Sequence, residues 1–118
     1  MFRIRFALAA AVAAALLVAA TASAMTPVKL TGTDGPGFTI TLKKGTTKVK
    51  TLKPGKYLIV VSDKSNIHNF HLTGPGVNKT TGVSFTGTVR WTVTLRNGTY
   101  KYVCDPHKAI MKGSFTVK

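Results

Sequence analysis

The chain has 118 residues, which is room for one domain. Seventeen lysines and arginines face three acidic residues, so the net charge is +14. This charge predicts attraction to acidic partners and to anionic surfaces such as a membrane or cell wall, weakened by salt. A lysine coat that keeps a β-protein soluble is the alternative interpretation. No aromatic-and-basic binding motif is visible, so we expect no nucleic-acid partner.

The first 24 residues have the order of a signal peptide. Two arginines precede an apolar, alanine-rich run over residues 6–20, and the small residues Ala22-Ser23-Ala24 follow. A membrane span needs about 20 apolar residues, so an uncleaved anchor is the less favoured alternative. Cleavage after Ala24 would leave a periplasmic or extracellular domain over residues 25–118. Its net charge would be near +12, because the two arginines of the leader are lost.

From residue 28 onward apolar and polar side chains alternate with a period of two, as they do in strands with one buried face. Phe38, Ile40 and Leu42 are predicted to share the core face of one strand. Residues 57–61 form a more continuous apolar run, which is expected of a strand deep in a sandwich. The clearest alternation is in a later segment, whose core-facing residues are predicted to be Val89, Trp91, Val93 and Leu95.

Glycine, proline and asparagine mark the turns between these runs. Asn97-Gly98 favours a tight hairpin, because both central residues of a type I′ turn need positive φ. The strand over residues 89–95 and the strand over residues 99–104 are therefore predicted to be antiparallel neighbours. Short strands at this spacing, with no amphipathic helix of useful length, predict an all-β sandwich or barrel.

Metal-binding side chains concentrate in the last third of the chain. Cys104 ends a strand, and His107 and Met111 follow on one short loop. Soft sulfur ligands together with neutral imidazole select copper, particularly Cu(I), over harder ions. Cys104 is also the only cysteine, for which a buried small hydrophobe is the alternative interpretation. A second imidazole must come from elsewhere, and His68 is the best candidate.

The segment Gly-x-Tyr-x-Tyr-x-Cys-x-Pro-His, followed by a methionine and by Gly-x-Phe-x-Val, resembles the carboxy-terminal signature of plastocyanin, pseudoazurin and amicyanin. His68-Asn69 resembles the His-Asn pair of the same proteins. The sequence is thereby identified as a member of the cupredoxins, the type 1 or blue copper proteins. The resemblance implies a Greek-key β-sandwich of seven or eight strands that holds one copper ion, as Cu(I) or Cu(II).

The resemblance also implies a role for each matching residue. Cys104 sulfur and the Nδ1 atoms of His68 and His107 would form a trigonal ligand set, with Met111 sulfur on the long axial position. Asn69 would hold the ligand loops together and donate its backbone N–H to the Cys104 sulfur. Three residues separate His107 from Met111, a spacing between those of plastocyanin and amicyanin. Of the four implied copper ligands, Met111 therefore has the least support. The alternative interpretation is that its side chain only fills space in the hydrophobic core.

The third histidine, His71, is expected to lie away from the metal. Side chains alternate along a strand, so His71 shares a face with Asn69 rather than with His68. A surface or hydrogen-bonding histidine is therefore predicted at this position.

The predicted function is electron transfer by a monomer without catalysis. In the family the loop histidine passes the electron through a surrounding apolar patch. Here that histidine is His107, and the patch residues are Pro106, Ala109 and Ile110. Lys108 and Lys112 would steer an acidic redox partner.

Three alternatives stay open at this point. The first is copper storage or delivery, which would use the same ligands. The second is a copper oxidase or nitrite reductase, which would need histidines for a second copper site, and the chain has only three. The third is a metal-free adhesion-like sandwich, which leaves the clustering of cysteine, histidine and methionine unexplained.

Overall fold

The computed structural model describes residues 10–19 and 26–118. The folded part is built almost entirely of strands, and one 3₁₀ turn, Asp105–His107, interrupts them. The strands are β1 (Val28–Asp34), β2 (Ile40–Lys44), β3 (Thr47–Lys48), β4 (Thr51–Leu52), β5 (Gly55–Asp63), β6 (His71–Gly74), β7 (Val77–Thr80), β8 (Gly87–Leu95), β9 (Gly98–Val103) and β10 (Lys112–Val117).

The strands form two five-stranded sheets, in the orders β3-β2-β1-β5-β8 and β4-β10-β9-β6-β7. Neighbours are antiparallel except for the pairs β1–β5 and β4–β10, which are parallel. The apolar faces of both sheets contribute to one core, which confirms the predicted all-β sandwich. The described residues contain ten strands rather than seven or eight, because β3 and β4 are separate two-residue pieces at the sheet edges.

Alternating side chains fill the space between the sheets. On β5, Tyr57, Ile59 and Val61 are buried while Leu58 and Val60 are half-buried, so the continuous apolar run predicted for a deep strand resolves into two faces. On β8, Val93 and Leu95 are buried, and Val89 and Trp91 are partly buried and pack against the core. The predicted core face of this strand is therefore confirmed. The fully buried side chains of the other sheet include Leu72 and Tyr100.

The turn at Asn97-Gly98 does not make a hairpin. β8 pairs with β5, whereas β9 pairs with β10 and β6 in the other sheet, so the prediction that β8 and β9 are antiparallel neighbours is wrong. Tyr100 holds the crossing between the sheets. Its buried hydroxyl accepts the Arg96 N–H at 3.0 Å and lies 3.0 and 3.1 Å from the carbonyls of Pro75 and Arg96. Gly98 does adopt positive φ, but Asn97 does not, so the predicted type I′ turn is not formed.

Phe38 is the second departure from the predicted pattern. β2 begins only at Ile40, and Phe38 precedes it with 56% of its surface exposed, so its predicted place on the core face is wrong. Leu42 is fully buried, as expected. The turn before Phe38 keeps it outside the sheet, because the Gly35 N–H donates to the Thr39 carbonyl at 2.9 Å.

The predicted leader, residues 1–24, and its cleavage site lie outside the described residues except for residues 10–19. Those ten residues are exposed and have no regular secondary structure. In the two described ranges no helix has the length and apolar composition needed to cross a bilayer.

Two carboxyl groups are buried together where β1 and β5 end. Asp34 and Asp63 are register partners on these parallel strands, with exposures of 0% and 3%. Burial, and then the hydrogen bond with Asp63, raises the pKa of Asp34 to about 7. Asp63 also accepts the Ser65 N–H at 3.2 Å, which positions the loop that follows β5. Below neutral pH the pair therefore holds a shared proton.

We expect the copper-free protein to lose stability as the pH rises from about 4 to about 7. The pKa of Asp34 is raised in the folded state from 3.8, so the folded protein binds the extra proton more tightly than the unfolded chain does. The stabilisation that this proton provides is complete below the pKa of Asp34 in the unfolded chain. It is lost as the pH rises through the pKa of Asp34 in the folded protein. Each pK unit corresponds to about 1.4 kcal/mol, so the decline amounts to a few kcal/mol.

Urea unfolding at several pH values measures this decline. In Asp34→Asn the amide keeps a hydrogen-bond donor toward Asp63 without a titrating proton. We expect its unfolding free energy to be nearly flat over the same interval. An equally steep decline in the variant would contradict the assignment to Asp34.

Candidate metal centre

His68 reaches the site from the loop between β5 and β6. Local polar side chains shape this loop, since Asp63 accepts the Ser65 N–H and the Ser65 hydroxyl accepts the Ile67 N–H at 3.3 Å. The His68 N–H donates to the Ser65 carbonyl at 3.5 Å. The turn directs the imidazole inward, where it is fully buried.

Cys104 and His107 come from the loop between β9 and β10. The Cys104 N–H donates to the Met111 carbonyl at 3.0 Å, and the Cys104 carbonyl accepts the His107 N–H at 3.0 Å. The Met111 N–H donates to the His107 carbonyl at 2.8 Å. Pro106, which has no N–H to satisfy, occupies the start of the 3₁₀ turn. The loop is thus closed on itself by main-chain hydrogen bonds.

The structure brings the three residues predicted to form the trigonal ligand set to one point. The Nδ1 atoms of His68 and His107 are 3.0 Å apart, and Cys104 Sγ lies 3.7 and 3.5 Å from them. The point equidistant from these atoms is about 2.0 Å from each, so all three atoms lie close enough to contact a single metal ion. No further group of potential metal ligands clusters in this way in the described part of the chain.

Asn69 joins the two ligand loops. Its backbone N–H donates to Cys104 Sγ at 3.4 Å, as the resemblance implied. Its side chain exchanges two hydrogen bonds of 2.7 Å with Asp105, one to the carboxylate and one from the backbone N–H. It also donates to Thr80 Oγ1 at 3.1 Å and to the Thr81 carbonyl at 3.4 Å. Asn69 therefore restrains both the sulfur and the backbone next to it.

Asp105 is a supporting residue that sequence reasoning did not identify. Burial tends to raise the pKa of its carboxyl, but the hydrogen bonds from Asn69 and His71 outweigh that effect and lower it. Its position directly after Cys104 was the available signal, since a carboxylate beside a ligand commonly orients the neighbouring groups.

His71 lies outside the cluster, as predicted, but alternation along one strand is not the reason, because β6 begins at His71 and His68 lies on the loop before it. Its Nδ1 is 3.0 Å from both Asp105 carboxylate oxygens, and its Nε2 is 2.7 Å from Asn78 Oδ1. The hydrogen bond to Asp105 raises the pKa of His71. Both ring nitrogens have protein partners, so this histidine acts as a hydrogen-bonding group.

Phe38 covers the two ligand histidines. Its ring lies edge-on to the rings of His68 and His107, with centroids 5.1 and 5.0 Å away. The period-two pattern assigned this side chain to the core, and the Gly-Pro-Gly turn just before it was the only sequence signal against that assignment. The ring shields the histidines from solvent on that side.

Met111 is fully buried at the end of the same loop. Its backbone pairs with His107 and Cys104, so its side chain starts from a position fixed by the ligand loop. Its role as the fourth ligand stays a prediction.

Comparison with known proteins agrees with this geometry. The family model described as copper binding proteins, plastocyanin/azurin family, matches residues 38–118. Reduced rusticyanin has a TM-score of 0.57 at 23% identity over 80% of this chain and 81% of that chain. A mutant of rusticyanin has a TM-score of 0.58 at 23% identity, over 80% of each chain. Rusticyanin from Thiobacillus ferrooxidans has a TM-score of 0.54 at 24% identity, over 80% of this chain and 79% of that chain. A search of curated proteins found no match.

At these identities the structural neighbours show the shared fold, and the family model shows the family. The donor set also fits the metal, because one thiol and two imidazoles converge in a buried site that restrains the sulfur. The chain therefore belongs to the plastocyanin/azurin family of copper-binding proteins, and its cofactor is a type 1 copper ion at the cluster of His68, Cys104 and His107.

Proposed function

We propose that this protein carries single electrons between redox partners outside the cytoplasmic membrane. The observation that carries the proposal is the convergence of Cys104 Sγ with the Nδ1 atoms of His68 and His107, 3.0 to 3.7 Å apart. Copper held there would supply the one-electron Cu(I)/Cu(II) couple. We propose these three atoms as its trigonal ligands, and Met111 sulfur as the axial one.

The protein's contribution is a site that changes little between oxidation states. Asn69 ties Cys104 and Asp105 to the strand end at Thr80, and main-chain hydrogen bonds close the loop from Cys104 to Met111. Because these restraints do not depend on the metal, the ligands are pre-organised for both oxidation states. Because the ligand residues would move little when copper changes its oxidation state, electron exchange would be rapid.

Electrons would enter and leave through His107, which is only half-buried. The surrounding patch is formed by Pro106, Ala109 and Ile110, which are exposed, and Ile110 shows 65% of its surface. Lys108 and Lys112 flank the patch and are also exposed. A small apolar surface beside cationic side chains suits a brief encounter with an acidic partner protein. We refer to these five residues as the docking patch.

Two further points support the proposal, the first against a multicopper enzyme and the second on location. A second copper site would require more histidines, and the third histidine, His71, uses both nitrogens in hydrogen bonds to Asp105 and Asn78. The signal-peptide pattern of residues 1–24 supports action outside the cytoplasmic membrane, in the periplasm or beyond the cell.

Stopped-flow kinetics with ferricyanide, an anionic oxidant, tests the proposal. We expect the reduced copper protein to be oxidised rapidly and to survive repeated reduction and reoxidation without losing copper. The double variant Lys108→Glu, Lys112→Glu should react several-fold more slowly at low salt, because it replaces attraction at the docking patch by repulsion. The difference should shrink as salt is added.

The matched control is Lys48→Glu, Lys50→Glu, which has the same net charge but carries its changes on and beside β3. Its rate should stay within about twofold of the wild type. Equal slowing in both variants would show that net charge acts without a docking patch. Loss of copper on each reduction would favour storage or delivery over electron transfer.

A further inference from the structure

The end of the sandwich opposite the copper site carries two adjoining grooves, which we call the distal grooves. Their volumes are about 500 and 650 Å³, and they share Lys44, Thr51 and Leu52 as lining residues. Five exposed lysines line them: Lys44, Lys48, Lys50, Lys53 and Lys56.

No acidic side chain lies beside these lysines to compensate their charge. The three acidic residues of the chain, Asp34, Asp63 and Asp105, all lie where strands end at the copper side. None lines either distal groove. In residues 10–19 and 26–118 the one ion pair joins His71 and Asp105. The five ammonium groups therefore repel one another, and a bound anion would relieve that repulsion.

The lysine-bearing segment is held rigidly. The Val49 N–H donates to the Leu42 carbonyl, and the Lys50 and Leu52 carbonyls accept the N–H groups of Thr116 and Lys118, each at 3.0 Å. The segment is thus bonded to both sheets. In addition, the Tyr57 hydroxyl donates to the Lys53 carbonyl at 2.6 Å. Lysines on such a fixed backbone need little ordering of the main chain before they bind a ligand.

From this arrangement we infer that the distal grooves bind a linear, phosphate-rich polymer that lacks bases. Ammonium groups bind phosphate as point charges. Two grooves that meet at Lys44 place their lysines along a path, which suits successive charges on a strand better than one isolated anion.

Two other anionic partners fit the grooves less well. Nucleic acids would need aromatic rings on which bases stack, and Tyr57, the one aromatic lining residue among residues 10–19 and 26–118, is only 6% exposed. An anionic bilayer would favour protruding large apolar side chains. In the part of the chain that the structure describes, Val28 is the one such exposed residue that lines these grooves, whereas Phe38, Ile67 and Ile110 protrude from loops at the copper end.

Polymer binding at this end would leave the copper site free. Strand β5 runs from Gly55, which lines a distal groove, to Asp63 at the copper end. At about 3.3 Å per residue this nine-residue strand separates the two ends by roughly 26 Å. The chain would then be tethered by one end while the docking patch at the other end meets redox partners.

Binding of long-chain inorganic polyphosphate to the copper-loaded protein tests the inference, with affinity measured by calorimetry at moderate salt. The triple variant Lys44→Gln, Lys50→Gln, Lys53→Gln should bind about tenfold more weakly or worse. The matched control Lys64→Gln, Lys79→Gln, Lys101→Gln has the same net charge and should stay within about twofold of the wild type. The blue absorption should be unchanged on binding, which separates this test from that of electron transfer.

Three outcomes would overturn the inference. Equal weakening in both triple variants would mean that only net charge matters. Tighter binding to single-stranded DNA of matched charge would mean that bases contribute. Tighter binding to phosphatidylglycerol vesicles, lost in the groove variant, would identify the surface as a membrane site. Affinity retained within about twofold in the charge-preserving variant Lys44→Arg, Lys50→Arg, Lys53→Arg would support the inference.

Discussion

Cys104→Ser is expected to abolish the intense blue absorption that the wild-type protein should show with Cu(II). The absorption requires a thiolate bound to copper, and the serine hydroxyl is a poor replacement because it stays protonated and is a hard ligand. Cys104 is fully buried and its Sγ lies within 3.7 Å of both ligand imidazoles, so no other sulfur can take its place without moving the loop. Visible and paramagnetic resonance spectra after addition of one equivalent of Cu(II) measure the change.

Two controls make this result specific. His71→Gln alters a histidine that lies outside the cluster, so the blue band should persist in that variant. Circular dichroism should show the same β-sheet content in the serine variant and the wild type, because oxygen for sulfur is a small change in a buried site. A blue band that survives in Cys104→Ser would refute the site.

Gly74→Ala is expected to destabilise the fold by about 3 kcal/mol or more, the upper end of the range for overpacked cores. A methyl group at this position would overlap the Tyr100 ring, with Cγ and Cε1 at 2.7 Å. The ring cannot easily move, because its hydroxyl bonds the backbone of Pro75 and Arg96 and its face stacks on Phe115 at 5.2 Å. The midpoint of chemical denaturation measures the loss.

Gly37→Ala is the matched control. A methyl group there would meet no atom within 4 Å, and Gly37 is not among the glycines with positive φ in the described residues. Its unfolding free energy should stay within about 0.5 kcal/mol of the wild type. Similar losses in both variants would show that the Tyr100 contact is not the cause.

Much of the metal site was predictable because its information is local. Cys104, His107 and Met111 share one loop, and the loop's spacing decides which side chains can meet. The alternation on β8 predicted its buried face for the same reason, since side chains along one strand are related by geometry alone.

The sequence by itself therefore determined the strand class, the soft donor set on one loop and the positive-φ turn at Gly98. Only the tertiary structure decided that β8 and β9 belong to different sheets, that Phe38 covers the histidines and that Asp34 meets Asp63. Local periodicity specifies which face of a strand is buried, but it does not specify the partner strand. That choice depends on packing and hydrogen bonds between residues far apart in the chain, such as those of Tyr100 with Pro75 and of Asn69 with Asp105.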